Sequence, residues 1–305
     1  MPVENSQRCF DLNDVLDFIS QDYPTAAVQD FQLIRAKDGV HVYKCRYNGQ
    51  AAVVKYFENE SDRREIHNYD ILQHHGIPTI RTFDFGQASI VLEDITASED
   101  WRLGMESDID DINVMKALAH WYFSLHENGS NAQELQNLYC EYDKITLESL
   151  VALSSKFLEG RKLFDLLIAN FDTLQERICA PALTLTYNDF YWTNFVVRKD
   201  GQAAMMFDYN LMGKGYRYAD FRNVCWNLSS VAKSAFVDTY NGLFFDKYGH
   251  TRCGDEQIER QIDEVAGPLY SLIIAFEKEN FPSWAEYARQ AVLDGSLLQK
   301  VIALF

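Results

Sequence analysis

The sequence predicts an α+β protein, with a small N-terminal lobe built on an antiparallel sheet and a larger, mainly helical C-terminal lobe. The sheet is indicated by residues 31–57, where three runs rich in β-branched and aromatic residues are separated by the turn signals KDG and NG. This spacing is typical of a three-stranded meander. The helical lobe is indicated from residue 112 onward, where apolar side chains recur mostly at helical spacing.

The length of the chain supports two lobes. With 305 residues and 47% hydrophobic content, the chain can bury a large core and exceeds the usual size of one compact domain. We expect residues 1–93 to form the first lobe and residues 94–305 the second.

One helix and two further strands should complete the first lobe. The helix is predicted over residues 61–78, because Ser61 is a typical N-cap residue and a Gly-Ile-Pro sequence ends the pattern. Residues 79–95 are predicted to form two short strands.

The second lobe is predicted to be helical apart from one β interruption. An acidic stretch at residues 96–111 precedes the first helix, in which Ile112, Met115, Ala119 and Tyr122 recur at a heptad-like spacing. The β interruption is expected at residues 183–208, and further helices at 147–177, 219–241, 256–278 and 283–304.

The charge of the chain argues against polyanionic partners. It has 28 Lys and Arg against 45 Asp and Glu, which gives a net charge of −17. A surface this acidic is unsuited to nucleic acid or to an anionic membrane, but it would suit a cationic substrate.

Cysteine usage and the N-terminus indicate a cytoplasmic protein. The six cysteines include no CxxC pair, so neither a zinc site nor a disulfide framework is indicated. Residues 1–10 lack the basic and apolar segments of an export signal. No apolar run approaches the roughly 18 residues that a membrane span requires.

Polar residues with the chemistry of a metal site flank the β interruption's turn. Asn194 lies six residues before Asp200-Gly201 and Asp208 seven residues after it, so a regular hairpin places them nearly opposite each other. Amide and carboxylate oxygens suit Mg²⁺, which takes its other ligands from water and from substrate phosphates. Asp189, five residues upstream of Asn194, is left for a different role.

The order of these residues is that of a phosphoryl-transfer site. In protein kinases a catalytic Asp is followed by an Asn metal ligand and then by a strand that ends in the principal Asp ligand. Lys55, at the end of the third predicted strand, matches the strand lysine that holds the nucleotide phosphates. Glu65, on the next helix, is the expected partner of that lysine.

The chain resembles the aminoglycoside phosphotransferase and choline kinase family, the small-molecule branch of the protein-kinase-like fold. The resemblance covers roughly residues 30–240 and is carried by VVKYF, the helix through LQHHGIP, IVLEDI, LAHWYFSLHENG, YNDFYWTNFVV and MMFDYNLMGKGYRYADFRNV. It implies a bilobal fold that uses ATP or GTP with Mg²⁺.

The resemblance also implies roles for individual residues. The backbone from Glu93 to Ile95 would receive the adenine, and the turn at Gly39 would cover the nucleotide. Asp189 would orient the acceptor hydroxyl and accept its proton, while Asp220 would begin a helix and brace the catalytic loop. The acceptor pocket would lie in the C-terminal lobe.

The sequence departs from the family pattern at several positions. Tyr187 stands where the family usually has a histidine two residues before the catalytic Asp, and Gly39 alone replaces a full glycine-rich motif. DYN replaces the DFG of protein kinases and no APE-like element follows. The last two departures fit a kinase that acts on small molecules and argue against a protein substrate.

We therefore expect a kinase that transfers the γ-phosphate of ATP or GTP to a hydroxyl of a small acceptor, such as an aminoglycoside or a choline-like alcohol. An alternative is a nucleotide-binding pseudokinase or interaction module, although all five catalytic positions are filled. A hydrolase that uses Asp189 and Asp208 as a carboxylate pair ranks last, since it gives Lys55 no purpose. The sequence indicates no oligomeric state, and no histidine is assigned to a metal.

Overall fold

The computed structural model describes residues 12–226 and 228–305. Contacts divide the chain into two compact units, of which the first comprises Met1–Glu106 and Thr193–Asn210 and the second Ser107–Trp192 and Leu211–Phe305. The expectation about an export signal concerns residues 1–10, which lie outside the described residues. The lobe boundary after residue 93 stays a prediction.

The described residues form strands and helices in the following order. The strands are β1 (Val28–Lys37), β2 (Val40–Tyr47), β3 (Gln50–Phe57), β4 (Thr82–Phe85), β5 (Ser89–Glu93), β6 (Trp101–Leu103), β7 (Thr184–Thr186), β8 (Phe195–Arg198), β9 (Ala204–Met206) and β10 (Gly213–Gly215). The helices are α1 (Leu12–Asp22), α2 (Arg64–His74), α3 (Ile112–Gly129), α4 (Leu147–Lys156), α5 (Arg161–Ala169), α6 (Phe171–Cys179), α7 (Arg217–Cys225), α8 (Ser230–Tyr248), α9 (Cys253–Phe276), α10 (Glu286–Leu293) and α11 (Ser296–Leu304).

The first unit contains a five-stranded sheet in the order β1-β2-β3-β5-β4, with every neighbouring pair antiparallel. The predicted meander and the two later strands are therefore confirmed. Both turns of the meander have consecutive residues with positive φ, Asp38-Gly39 and Asn48-Gly49. Such turns match the twist of paired strands, which explains why an Asn-Gly sequence favours them. Val15 and Ile19 of α1 pack with buried residues of the sheet in one core.

The helix after the meander begins later than the sequence predicts. Ser61 lies inside a short 3₁₀ helix, Glu60–Arg63, and α2 starts at Arg64 without a side-chain cap. The prediction of Ser61 as N-cap is therefore wrong. The helical spacing of the apolar residues predicted the buried face of α2 correctly, because Ile66, Tyr69 and Leu72 are all buried.

A second, three-stranded sheet of the first unit has the order β6-β8-β9. The hairpin of β8 and β9 is confirmed, with Gly201 at positive φ in its turn. Strand β6 pairs with β8 and falls in the acidic stretch that the sequence interpretation left without structure. Three residues are too few for a period-two pattern to be visible.

The second unit is mainly helical, as predicted. One hydrophobic cluster of this unit is formed chiefly by residues of α4, α5, α6, α9, α10 and α11. The stretch predicted at 147–177 is divided into α4, α5 and α6, and Ile112, expected on the buried face of α3, is 42% exposed. Strands β7 and β10 form a small antiparallel pair. None of the helices in residues 12–226 and 228–305 combines the length and apolar character required to cross a bilayer.

Candidate active site

Lys55 is the centre of a charged cluster in the first unit. From β3 its Nζ donates to both carboxylate oxygens of Glu65 at 2.7 Å and to Oδ1 of Asp208 at 2.9 Å. The Glu65 side chain is 1% exposed, that of Lys55 12% and that of Asp208 30%. One ammonium group is therefore shared by two carboxylates, and the Asp208 end of the cluster reaches solvent.

The pKa values of the cluster follow from burial and from this shared charge. Burial opposes the charge of Lys55, but the carboxylates of Glu65 and Asp208 outweigh it and raise the pKa of the amine above its usual value. Burial raises the pKa of Glu65 to about 7, although Lys55 opposes the shift. Lys55 thus stays a cation at neutral pH, which suits a group that binds phosphate.

Helix α2 fixes both Glu65 and the segment that follows Asp208. Asn68 Nδ2 donates to the carbonyl of Tyr209 at 2.7 Å, and the ring of Tyr69 lies edge-on to that of Tyr209 at 4.7 Å. Residues three and four apart share one face of a helix. Glu65, which binds Lys55, therefore lies on the same face of α2 as Asn68 and Tyr69, which contact Tyr209. Asn68 was missed by sequence reasoning, since its partner lies 141 residues away.

Asp208 leaves the strand in an unusual backbone conformation. It follows the end of β9 with φ of +64°, in the left-handed region that Asp adopts more readily than most residues. In a regular strand the side chains of residues 207 and 208 would point to opposite faces. In this conformation the carboxylate of Asp208 accepts from Lys55 Nζ at 2.9 Å.

Asn194 directly precedes β8 and lies opposite Phe207. Its carbonyl accepts a hydrogen bond from the amide of Phe207 at 2.8 Å, so it faces the residue that precedes Asp208. Its side-chain Oδ1 accepts from Thr193 Oγ1 at 3.2 Å. Among the described residues, no three His, Cys, Asp or Glu side chains form a metal cluster. One amide oxygen and one carboxylate fit Mg²⁺, which commonly takes one or two protein ligands besides phosphate and water.

The loop that carries Asp189 belongs to the second unit and is held by Asp220. The amide of Tyr187 donates to both carboxylate oxygens of Asp220 at 2.9 and 3.2 Å, and that of Asn188 donates at 3.0 Å. Asn188 has φ of +67°, and its Nδ2 donates to the carbonyl of Leu211 at 3.1 Å. Asp220 lies in the first turn of α7, the position implied by the family resemblance. The convergence of Asp189 with Asn194 and Asp208 stays a prediction.

The surroundings of Asp189 are acidic. Burial raises the pKa of Glu141 to about 7, Arg222 opposes the shift, and the charges of Asp263, Asp220 and Asp189 add to it. Three aspartates, Asp263, Asp220 and Asp189, therefore act on Glu141 in this part of the second unit.

Aromatic residues beside this loop differ in exposure. Tyr187 is fully buried, with its ring edge-on to those of Trp121 at 5.9 Å and Tyr122 at 6.5 Å. Tyr191 and Trp192, in the loop itself, are 57% and 38% exposed. The buried ring and the two exposed rings therefore lie in different surroundings within a few residues of Asp189.

The three other predicted nucleotide contacts occupy turns and strand ends of the first unit. Gly39 has φ of +79°, its carbonyl accepts from the amide of Glu58, and an added Cβ would lie 2.6 Å from Asn59 Nδ2. Glu93 ends β5, and its amide donates to the carbonyl of Arg81 at 2.9 Å. Ile95 is buried and begins a short 3₁₀ helix. Their contacts with a nucleotide stay predictions.

Solved structures share this architecture. An ethanolamine kinase from Plasmodium vivax has 17% identity and a TM-score of 0.55, with 89% of this chain and 84% of that chain covered. A macrolide 2′-phosphotransferase from Brachybacterium faecium has 12% identity and a TM-score of 0.60, with 93% and 97% covered. A spectinomycin phosphotransferase in complex with ADP and spectinomycin has 13% identity and a TM-score of 0.54, with 97% and 99% covered.

The chain has the protein-kinase-like fold. The predicted fold class, a small antiparallel-sheet part and a larger helical part, is thereby confirmed. No protein-family model and no curated protein sequence matches the chain. Identities of 12% to 17% establish a shared fold and leave the reaction to be argued from the residues themselves.

Proposed function

We propose that the chain is a small-molecule phosphotransferase that moves the γ-phosphate of ATP or GTP to a hydroxyl of a small acceptor. One observation carries the proposal: Lys55 binds Glu65 and Asp208 together within a fold shared with solved phosphotransferases. A charged cluster of this kind, partly open to solvent, is difficult to explain by stability alone, because buried ion pairs add little to it.

Each residue of the cluster has a task in this reaction. Lys55 would bind the nucleotide phosphates, and Glu65 would hold the lysine side chain in place. Asn194 and Asp208 would hold Mg²⁺, which when bound neutralises the charge on the phosphates. Gly39, Glu93 and Ile95 remain the proposed contacts with the rest of the nucleotide.

Asp189 would orient the acceptor hydroxyl and accept its proton. Phosphoryl transfer has a loose transition state, so positioning matters at least as much as basicity. The loop is well suited to positioning, because the amides of Tyr187 and Asn188 bind Asp220 directly before Asp189.

A cationic acceptor fits this site best. Asp189, Asp220 and Asp263 all act electrostatically on Glu141 in the second unit, and the whole chain has a net charge of −17. An ammonium group on the acceptor would be attracted by these carboxylates. Amino alcohols and aminoglycosides are therefore the first acceptors to test.

A screen for nucleotide consumption tests the proposal. The wild-type protein is incubated with ATP or GTP and Mg²⁺ and with a panel of amino alcohols, aminoglycosides, macrolides and neutral sugars, and release of ADP or GDP is measured. We expect one class of acceptor to raise the release well above hydrolysis in water, and a chelator to abolish it. Nucleotide binding without acceptor-dependent release would favour the pseudokinase alternative and contradict the proposal.

A further inference from the structure

The second unit contains a cavity of about 540 Å³ that the proposed reaction does not use. Its walls come from residues 180–184 before β7, from the start of α7, from the end of α8 and from the first turns of α9. This volume is typical of pockets that bind small molecules. The described residues that line it include none of those proposed to bind nucleotide, metal or acceptor.

The lining of this cavity combines apolar surface with two guanidinium groups. The guanidinium groups belong to Arg217 and Arg252. Phe244 is buried and Ile258 is 51% exposed, so apolar surface extends from the interior of the cavity to the surface of the protein. Asp255 also lines the cavity, but it is exposed, and its charge is therefore screened by solvent.

Arg252 is a buried cation with an unsatisfied donor. Its side chain is 2% exposed, and its Nη2 donates to Oε2 of Glu259 at 3.4 Å, which is long for a charged pair. The same oxygen accepts from the amide of Tyr218 at 2.9 Å. Nη1 has no hydrogen-bond partner within residues 12–226 and 228–305. A buried donor without an acceptor is costly, so a ligand that supplies an acceptor would be stabilised here.

Cations outnumber carboxylates in the ion pairs beside the cavity. Arg217 Nη1 donates to Oε1 of Glu127, and Lys247 Nζ donates to Oε2 of the same carboxylate at 2.7 Å. With Arg252 and Glu259, three cations therefore face two carboxylates. In a chain with a net charge of −17, this excess of positive charge favours an anionic ligand.

We propose that this cavity binds a small carboxylic acid with an apolar chain or ring. The carboxylate would bind the guanidinium of Arg252, whose planar group of donors matches the two carboxylate oxygens, and Arg217 would add a second positive charge. The apolar part would lie against Phe244 and Ile258. Binding of this acid does not depend on the proposed phosphotransferase function, because it involves a separate set of residues.

Isothermal titration calorimetry of the wild-type protein with sodium octanoate tests the proposal. Acetate, which lacks the chain, and octylamine, which has an ammonium group in place of the carboxylate, are the control ligands. We expect octanoate to saturate one site with a Kd of about 1 mM or tighter. Each control ligand should bind about tenfold more weakly or less.

Three variants test whether octanoate binds in this cavity. Arg252→Met/Glu259→Gln removes both charges of the buried pair, so that neither is left alone in the interior. Ala182→Trp places a large side chain at an exposed position of the lining and leaves the ion pairs intact. Arg161→Met, at an arginine of α5 whose side chain is 71% exposed, is the control for loss of a positive charge. The first two should weaken octanoate binding about tenfold or more, and Arg161→Met should leave the Kd within about twofold of wild type.

The outcomes decide the proposal without a turnover assay. Octanoate that does not saturate the wild type, or that binds no more tightly than octylamine or acetate, would overturn it. An unchanged Kd in Arg252→Met/Glu259→Gln would also overturn it, because octanoate would then bind elsewhere. If that variant does not fold, Ala182→Trp decides: weaker binding supports the proposal, and an unchanged Kd contradicts it. Absence of phosphate transfer by the wild type would overturn the proposed function and would leave these binding results as they are.

Discussion

At the scale of single residues, the ammonium group of Lys55 is the feature on which the first unit's cluster depends. Removing it by Lys55→Met leaves the carboxylates of Glu65 and Asp208 without a cation, one of them 1% exposed. Removal of one partner of a buried ion pair commonly lowers the free energy of unfolding by about 3 kcal/mol. We expect a loss of that size by urea denaturation, together with loss of turnover.

A double variant separates the structural role of Lys55 from its catalytic role. Lys55→Met/Glu65→Gln removes the buried negative charge as well, so most of the lost stability should return while turnover stays absent. Lys37→Met, at an exposed lysine of β1, is the control and should change neither quantity. Recovery of turnover in the double variant would contradict the role proposed for Lys55.

Glu65 gives a prediction for the pH dependence of stability. Its pKa in the folded protein is about 7, against an ordinary value of 4.5. Because the folded value is the higher one, the protonated group favours folding below about pH 4.5, and this contribution is lost as the pH rises through about 7. Glu65→Gln stays neutral, so relative to it the wild type should lose about 3 kcal/mol of unfolding free energy between about pH 4.5 and about pH 8.

Urea denaturation of both proteins across this pH range measures the difference. Glu60→Gln, at an exposed position of the preceding 3₁₀ helix, is the control and should parallel the wild type. A constant difference between wild type and Glu65→Gln would show that the folded protein does not raise the pKa of Glu65.

Residues of the candidate site differ in how visible they are in the sequence. Lys55, Glu65, Asn194 and Asp208 could be proposed because their order along the chain is that of a phosphoryl-transfer site. Asn68 could not, since its contact with Tyr209 joins residues 141 positions apart and no periodic pattern records such a pair.

At the scale of elements, the turn between β1 and β2 tests the proposed nucleotide contact of Gly39. Gly39→Ala and Gly49→Ala both place a Cβ at a strongly positive φ, +79° and +83°, and each should cost about 1 kcal/mol of stability. Only Gly39 approaches another side chain, the flexible amide of Asn59, and Gly49 has open space around it.

The two variants should differ in kinetics rather than in stability. If the turn at Gly39 covers the nucleotide, Gly39→Ala should raise KM for ATP several-fold, and Gly49→Ala, in the next turn, should leave it unchanged. Equal KM values in the two variants at similar Tm would remove Gly39 from the nucleotide site.

Elements with strong local signals were predictable and short or tightly packed ones were not. The meander followed from its turn chemistry. Strands β6 and β10, of three residues each, show no alternation and lie outside the predicted β segments, whereas β7 and β9, equally short, fall within the β interruption expected at 183–208. The division of the predicted helix at 147–177 includes a break at Gly160, where an added Cβ would lie 2.6 Å from the ring of Phe164. Such close packing is a tertiary requirement that helical periodicity does not reveal.

At the scale of the whole molecule, the order of segments separates the proposed tasks. The chain enters the first unit, continues into the second, returns to the first for Thr193–Asn210 and ends in the second. The returning segment supplies Asn194 and Asp208 to the unit that contains Lys55, and the residues just before it supply Asp189 to the other unit. A sequence pattern shows these residues in order but does not show which compact unit receives each.

The most direct test of the account is transfer of labelled γ-phosphate to the acceptor found in the screen, measured in parallel for wild type and Asp189→Asn. Asp189→Asn preserves shape and removes the base, so we expect the labelled product from the wild type only, with nucleotide affinity of the variant within about twofold of wild type. Labelled product formed equally fast by Asp189→Asn, or by neither protein with any acceptor, would contradict the account.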